Sequence, residues 1–143
     1  MVLRLVIRVY IDGLAEPTNP GFGTYGFVIY RNGEKIEEGK GFIGKNVTNN
    51  YAEYTALIEA LKRIEKLNKE EIQIFSDSRI LVRQMKGEWS AKKGMYKAKL
   101  QEAKNMVSKF TKLHFFWIPR EENREADKLS REAYKEYWSH LER

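Results

Sequence analysis

Asn32-Gly33 stands between two β-like runs, TYGFVIY and KIEEGKGFIG. An Asn-Gly pair in that setting is the strongest short-range signal for a hairpin. Upstream, Leu3, Leu5, Ile7, Val9 and Ile11 alternate with Arg4, Val6, Arg8 and Tyr10, the period of a strand that ends at Asp12. Between this strand and the hairpin lies GLAEPTNPG, a turn rich in Gly and Pro. Three sequential strands with short connections must then be covered by elements later in the chain.

The next segment is helical. VTNNYAEYTAL opens a helix running from about Asn50 to Leu67, with Leu57, Ala60, Leu61 and Ile64 as its apolar stripe. EIQIFSD is a fourth strand ending at Asp77, and a helix from about Ser78 to Lys86 comes after it. The connection KGEWSAKKG leads to a second amphipathic helix over about Met95 to Phe110. KLHFFWIP is a fifth strand, stopped by Pro119, and a loop then enters a terminal helix. The order β-β-β-α-β-α-α-β-α predicts one α/β domain over residues 1–143, with an antiparallel hairpin and later crossover strands in one mixed sheet.

The balance of the chain suits that fold, since 42% hydrophobic residues fill a core while 32% charged residues keep the surface wet. No apolar run approaches the roughly 20 residues that cross a bilayer. The alternating N-terminus lacks a signal-peptide cleavage site, so no membrane association is expected. Cysteine is absent, which excludes disulfides and thiolate metal sites and makes a cytoplasmic location the expectation. A monomer is the expected state.

A net charge of +6 favours a polyanionic partner. Between Arg83 and Lys112 nine Lys or Arg face only two Glu, with Trp89 and Tyr96 interleaved. Such a stretch tracks a phosphate backbone, or it is simply a solvated helical face.

Four carboxylates sit at element ends. Asp12 and Asp77 close predicted strands, Glu53 opens a helix on its inward stripe, and Asp127 lies in the first turn of the last helix. Each has an ordinary reading: a turn at Asp12-Gly13, a capping box at Asn50-x-x-Glu53, an N-cap at Asp77, a dipole partner at Asp127. Together they mark the place where ligands collect in open α/β sheets, and hard cations take oxygen donors of this kind.

With these acids and the residues around them, the chain resembles type 1 ribonuclease H. The pieces YIDG (10–13), NPG (19–21), TNNYAE (48–53), SDS (76–78) and NREAD (123–127) stand in the family's order across nearly the whole chain. The resemblance implies the RNase H-like fold, a five-stranded mixed sheet flanked by helices. It implies endonucleolytic hydrolysis of the RNA strand of an RNA–DNA hybrid, giving 5′-phosphate and 3′-hydroxyl ends. Asp12, Glu53, Asp77 and Asp127 would hold two Mg²⁺ or Mn²⁺ ions, and Glu53 would be tolerated at the core edge because cations neutralise it. Asn19, Asn49 and Asn50 match positions near the 2′-hydroxyls or minor-groove base edges, and Thr48 matches a seat for a DNA-strand phosphate; the ordinary reading of all four is turn and cap. Ser78 and Asn123, from the same motifs, join the expected substrate contacts.

The chain departs from the family pattern in three places. Some members carry a His in the loop after the last strand; counting back from Asp127 reaches Trp117, and His114 and His140 lie elsewhere. Arg120 is the nearest polar candidate, a catalytic group that would orient phosphate or water, against a plain surface Arg. Arg79 comes after SDS where many relatives have Gln, which favours a phosphate contact. The KGEWSAKKG segment is short, so grip on the hybrid would rest on Trp89, Lys92 and Lys93, with a core position as the other reading of Trp89. The rival functions are a non-cleaving nucleic-acid-binding module and another nuclease of the same fold, such as a junction resolvase.

Overall fold

The computed structural model describes residues 5–91, 94 and 96–141. Leu3, Arg4, Lys92, Lys93 and Met95 lie outside the described residues. Five strands, β1 (Val6–Glu16), β2 (Gly21–Arg31), β3 (Glu34–Val47), β4 (Glu71–Ser76) and β5 (Lys112–Trp117), form one sheet in the order β3-β2-β1-β4-β5. Among the described residues four α-helices accompany them: α1 (Asn49–Arg63), α2 (Arg79–Met85), α3 (Lys97–Val107) and α4 (Arg124–Leu141). The element order and the mixed sheet are those expected from the sequence. Asn32 and Gly33 take φ of 49° and 83° as the two-residue loop of the β2–β3 hairpin, the geometry that joins twisted strands without splaying them.

Several boundaries differ from the sequence reading. β1 does not stop at Asp12; it stays paired with β2 to Glu16, opposite Phe22, so Asp12-Gly13 is strand and not turn. α1 ends at Arg63 because Ile64 leaves helical geometry, and Glu65–Leu67 form a separate tight 3₁₀ turn. Side-chain periodicity fixes an element's face more sharply than its ends.

β1 pairs antiparallel with β2 and parallel with β4. On one face of the sheet Ile7, Val9, Ile11, Phe27, Ile29, Ile72 and Ile74 are buried under α1, where its Leu57 and Leu61, and Ile64 just past its end, meet them. This is the stripe on which Glu53 lies. Each such side chain contributes roughly 1.5–3 kcal/mol by leaving water, so this layer fixes α1 on the sheet. The opposite face is covered by α4, which packs on β1, β2 and β3. A row of rings begins at its first turn: Tyr30, whose hydroxyl donates to Glu125, meets Tyr10, and Tyr10 and Phe116 both stack on Phe75.

Candidate active site

Parallel pairing of β1 with β4 sends both strands to the same edge of the sheet. The ladder ends with Ile11 opposite Ser76. The next residue is Asp12 within β1 and Asp77 just past the end of β4, so the two aspartates stand side by side. Glu53 reaches the same edge from α1 because Gly13 has no side chain. A Cβ at Gly13 would stand 2.2 Å from the Glu53 backbone nitrogen and from the Ala52 carbonyl carbon, closer than any side chain is tolerated. Carboxylate oxygens of Asp12, Glu53 and Asp77 lie within 4.8 Å of one another.

Gathering three acids where water is scarce is costly. Burial pushes the Asp12 carboxyl up to about 7; the Asp77 and Asp127 charges add to the rise, while the Ser130 hydrogen bond and the Arg120 charge oppose it. Burial holds Glu53 well above the usual carboxylate range, Asp12 and Asp77 add repulsion, and the Gly13 N–H and Arg120 partly offset it. Glu53 Oε2 is buried and has no hydrogen-bond partner. An oxygen-only donor set with one orphaned buried oxygen suits a hard divalent cation, which would relieve both the repulsion and the missing bond. A capping box does not explain Glu53: Thr48 is the N-cap, accepting from Tyr51 N at 3.1 Å, and Glu53 lies beyond the first turn. Nor does Asp77 cap α2; Ser78 does, accepting from Leu81 N at 3.2 Å.

The fourth acid is arranged differently. Asp127 stands outside the close triad, with both carboxylate oxygens 3.1 Å from Nε of Arg131, one helical turn on. Arg131 belongs to none of the sequence motifs, although its i+4 spacing from Asp127 is legible in the chain. Arg120 lies close enough for its charge to act on Asp12 and Glu53. Its side chain is exposed.

Asn123 is not placed to touch substrate. It is 1% exposed, and its Nδ2 donates to the Ile11 carbonyl at 2.8 Å and to Asp77 Oδ2 at 3.0 Å. It therefore ties together the two strand ends that carry Asp12 and Asp77. Trp117 also serves this edge, donating from Nε1 to the Asp77 carbonyl at 3.1 Å. The Arg79 guanidinium stacks 3.9 Å over the Trp117 ring. Trp89 is 49% exposed, which rules out a core position, and Arg83 sits 5.3 Å over its ring.

Asn19 and Asn49 form a chain beside the start of α1. Asn19 Oδ1 accepts from Asn49 N at 2.9 Å, and Asn49 Oδ1 accepts from Ala15 N at 3.0 Å. Both amide oxygens are held by backbone, which leaves the NH₂ groups as donors toward solvent. Asn50 is half-buried in the first turn of α1.

Comparisons with known proteins agree with this geometry. A profile of the family described as reverse transcriptase-like matches residues 11–133. A ribonuclease H of Campylobacter jejuni is 34% identical over 139 residues, covering 89% of this chain and 90% of that protein. The bifunctional protein Rv2228c of Mycobacterium tuberculosis is 35% identical over 117 residues, 80% of this chain; the chain spans only 32% of that protein's length. The solved structure of LC11-RNase H1 in complex with an RNA/DNA hybrid superposes with a TM-score of 0.84 at 33% identity, over 94% of this chain and 99% of that one. With fold, sequence and acidic edge in agreement, the chain belongs to the reverse transcriptase-like family and, within it, to type 1 ribonuclease H.

Proposed function

We propose that this protein is an endoribonuclease that hydrolyses the RNA strand of an RNA–DNA hybrid, leaving 5′-phosphate and 3′-hydroxyl ends, and that it works as a monomer with two bound Mg²⁺ or Mn²⁺ ions. The observation that carries the reading is the meeting of Asp12, Glu53 and Asp77 within 4.8 Å, with a buried Glu53 oxygen left unpartnered. Bound divalent cations supply Lewis-acid stabilisation of phosphate charge and a water of lowered pKa.

The chain's own residues divide the remaining work. Asp12, Glu53 and Asp77 would hold a cation among them, and Asp127 would complete the donor set. Asn123 and Trp117 keep the Asp77 end of β4 in register with β1. Arg120 cannot shuttle protons because a guanidinium stays charged, so it draws the scissile phosphate toward the acids. The NH₂ groups of Asn19 and Asn49 donate to 2′-hydroxyls or base edges, which separates RNA from DNA. Asn50 lies beside them in the same role. Thr48 and Ser78 spend an oxygen lone pair on capping; each hydroxyl proton remains available to a phosphate oxygen. Arg79 and Trp89 extend the contact along the backbone.

The test is cleavage of four labelled duplexes (hybrid, DNA, RNA and mixed-strand), each about one to three helical turns long, with Mg²⁺ or Mn²⁺. Hybrid cut in the RNA strand, with duplex DNA spared, is the expected result. Hybrid that survives both metals would overturn the enzymatic reading.

A further inference from the structure

Ser130, three residues beyond Asp127 on α4, is 0% exposed and meets the acid cluster from the side opposite α1. The sheet delivers it there. Gly26 stands directly across the β1–β2 ladder from Asp12. A Cβ on Gly26 would lie 2.7 Å from Ser130 N and 2.6 Å from the Ala126 carbonyl oxygen, so α4 settles this close only over a bare backbone. From β2, the Thr24 hydroxyl then donates to the Ser130 carbonyl at 2.8 Å and fixes the helix in depth.

The Ser130 Oγ stands 2.6 Å from Asp12 Oδ2 and 2.8 Å from the Asp127 carbonyl oxygen. A hydroxyl has one proton to give. A serine inside a helix ordinarily returns it to a carbonyl one turn back. A carboxylate oxygen is the stronger acceptor, roughly twice as strong as a neutral one, and 2.6 Å falls in the range of charge-assisted O–H···O⁻ bonds. We propose that Ser130 is a positioning residue for the cation site: its hydroxyl donates to Asp12 Oδ2, fixes the plane of that carboxylate, and so presets the triad before a cation arrives. Ser130 touches neither substrate nor cation. It acts through Asp12, as the hydrogen-bonded partners of metal ligands do generally.

This inference rests on the cation-binding reading of the triad, and the experiment separates the two. Full-length protein stripped with chelator is titrated calorimetrically with MnCl₂ alone, for wild type, Ser130→Ala and Ser130→Cys. Ser130→Ala should bind Mn²⁺ about 10-fold more weakly or worse, with the hybrid KM little changed. Ser130→Cys, with similar volume and a feeble donor, should fall between. A merely structural serine would lower the melting temperature and leave Mn²⁺ affinity alone; wild-type affinity in Ser130→Ala therefore overturns the proposal. Should Ser130→Ala fail to fold, the same comparison is made with Ser130→Cys, and unchanged affinity there overturns it equally. Wild-type protein that takes up no Mn²⁺ overturns the cation reading itself, and this inference with it.

Discussion

Asp12 combines 5% exposure, a carboxyl raised to about 7 by burial, and a place beside two further acids. Its unfolded value is near 3.8, so between about pH 4 and 7 the cation-free folded state binds a proton that the unfolded chain has released. Stability from this group is therefore fully present below the unfolded value and falls as pH rises toward 7, by about 1.4 kcal/mol per unit of difference at most. Asp12→Asn removes the buried charge and keeps an acceptor for Ser130. In chelator it should melt above wild type at pH 8, with the gap closing toward pH 4, as followed by circular dichroism. In Mg²⁺ the same variant should lose activity by more than the roughly 10- to 100-fold that ligand partners command. Equal melting of the two proteins at pH 8 would show that the Asp12 charge costs the fold nothing.

At the level of elements, the site is made by two helices passing unusually close to one strand pair, at Gly13 for α1 and at Gly26 for α4. Gly13→Ala puts a methyl 2.2 Å from backbone atoms of α1, and backbone cannot swing aside as a side chain would. The variant should lose about 3 kcal/mol, the upper end of ordinary overpacking, together with its Mn²⁺ site. Urea unfolding and Mn²⁺ titration measure the two effects; a stable variant with an intact site would mean that α1 can retreat without moving Glu53. Asn123 shows the same logic from the other side of the site, since one buried amide joins the ends of β1 and β4.

Across the whole molecule, the Asp12, Glu53 and Asp77 cluster lies at one place, while Arg79, Arg83, Lys86 and Lys97 stand at least partly exposed on the α2–α3 side. The opposite helix, α4, spends its charges on ion pairs such as Lys40 with Glu132 and Glu136. Hybrid binding carried by backbone phosphates must weaken with salt, because each contact releases counterions. Reversing Arg83, Lys86 and Lys97 to Glu should raise the hybrid KM with kcat little changed. It should also flatten the log–log salt dependence by about 1 per lost phosphate contact. An unaltered salt slope would place the substrate on another face.

Local features were legible in the chain: strand and helix periods, the Asn32-Gly33 hairpin, the inward stripe carrying Glu53, and an acid at the end of each of two predicted strands. Those are written in residues a few positions apart, where backbone sterics and side-chain period act directly. Tertiary structure alone decided the register that sets Ile11 opposite Ser76, the bare patch at Gly26, and the meeting of Ser130 with Asp12 across 118 positions of chain. It also decided that Asn123 faces inward and that Asp127 is paired with Arg131. Such contacts depend on how whole layers pack, and no short stretch of chain contains them.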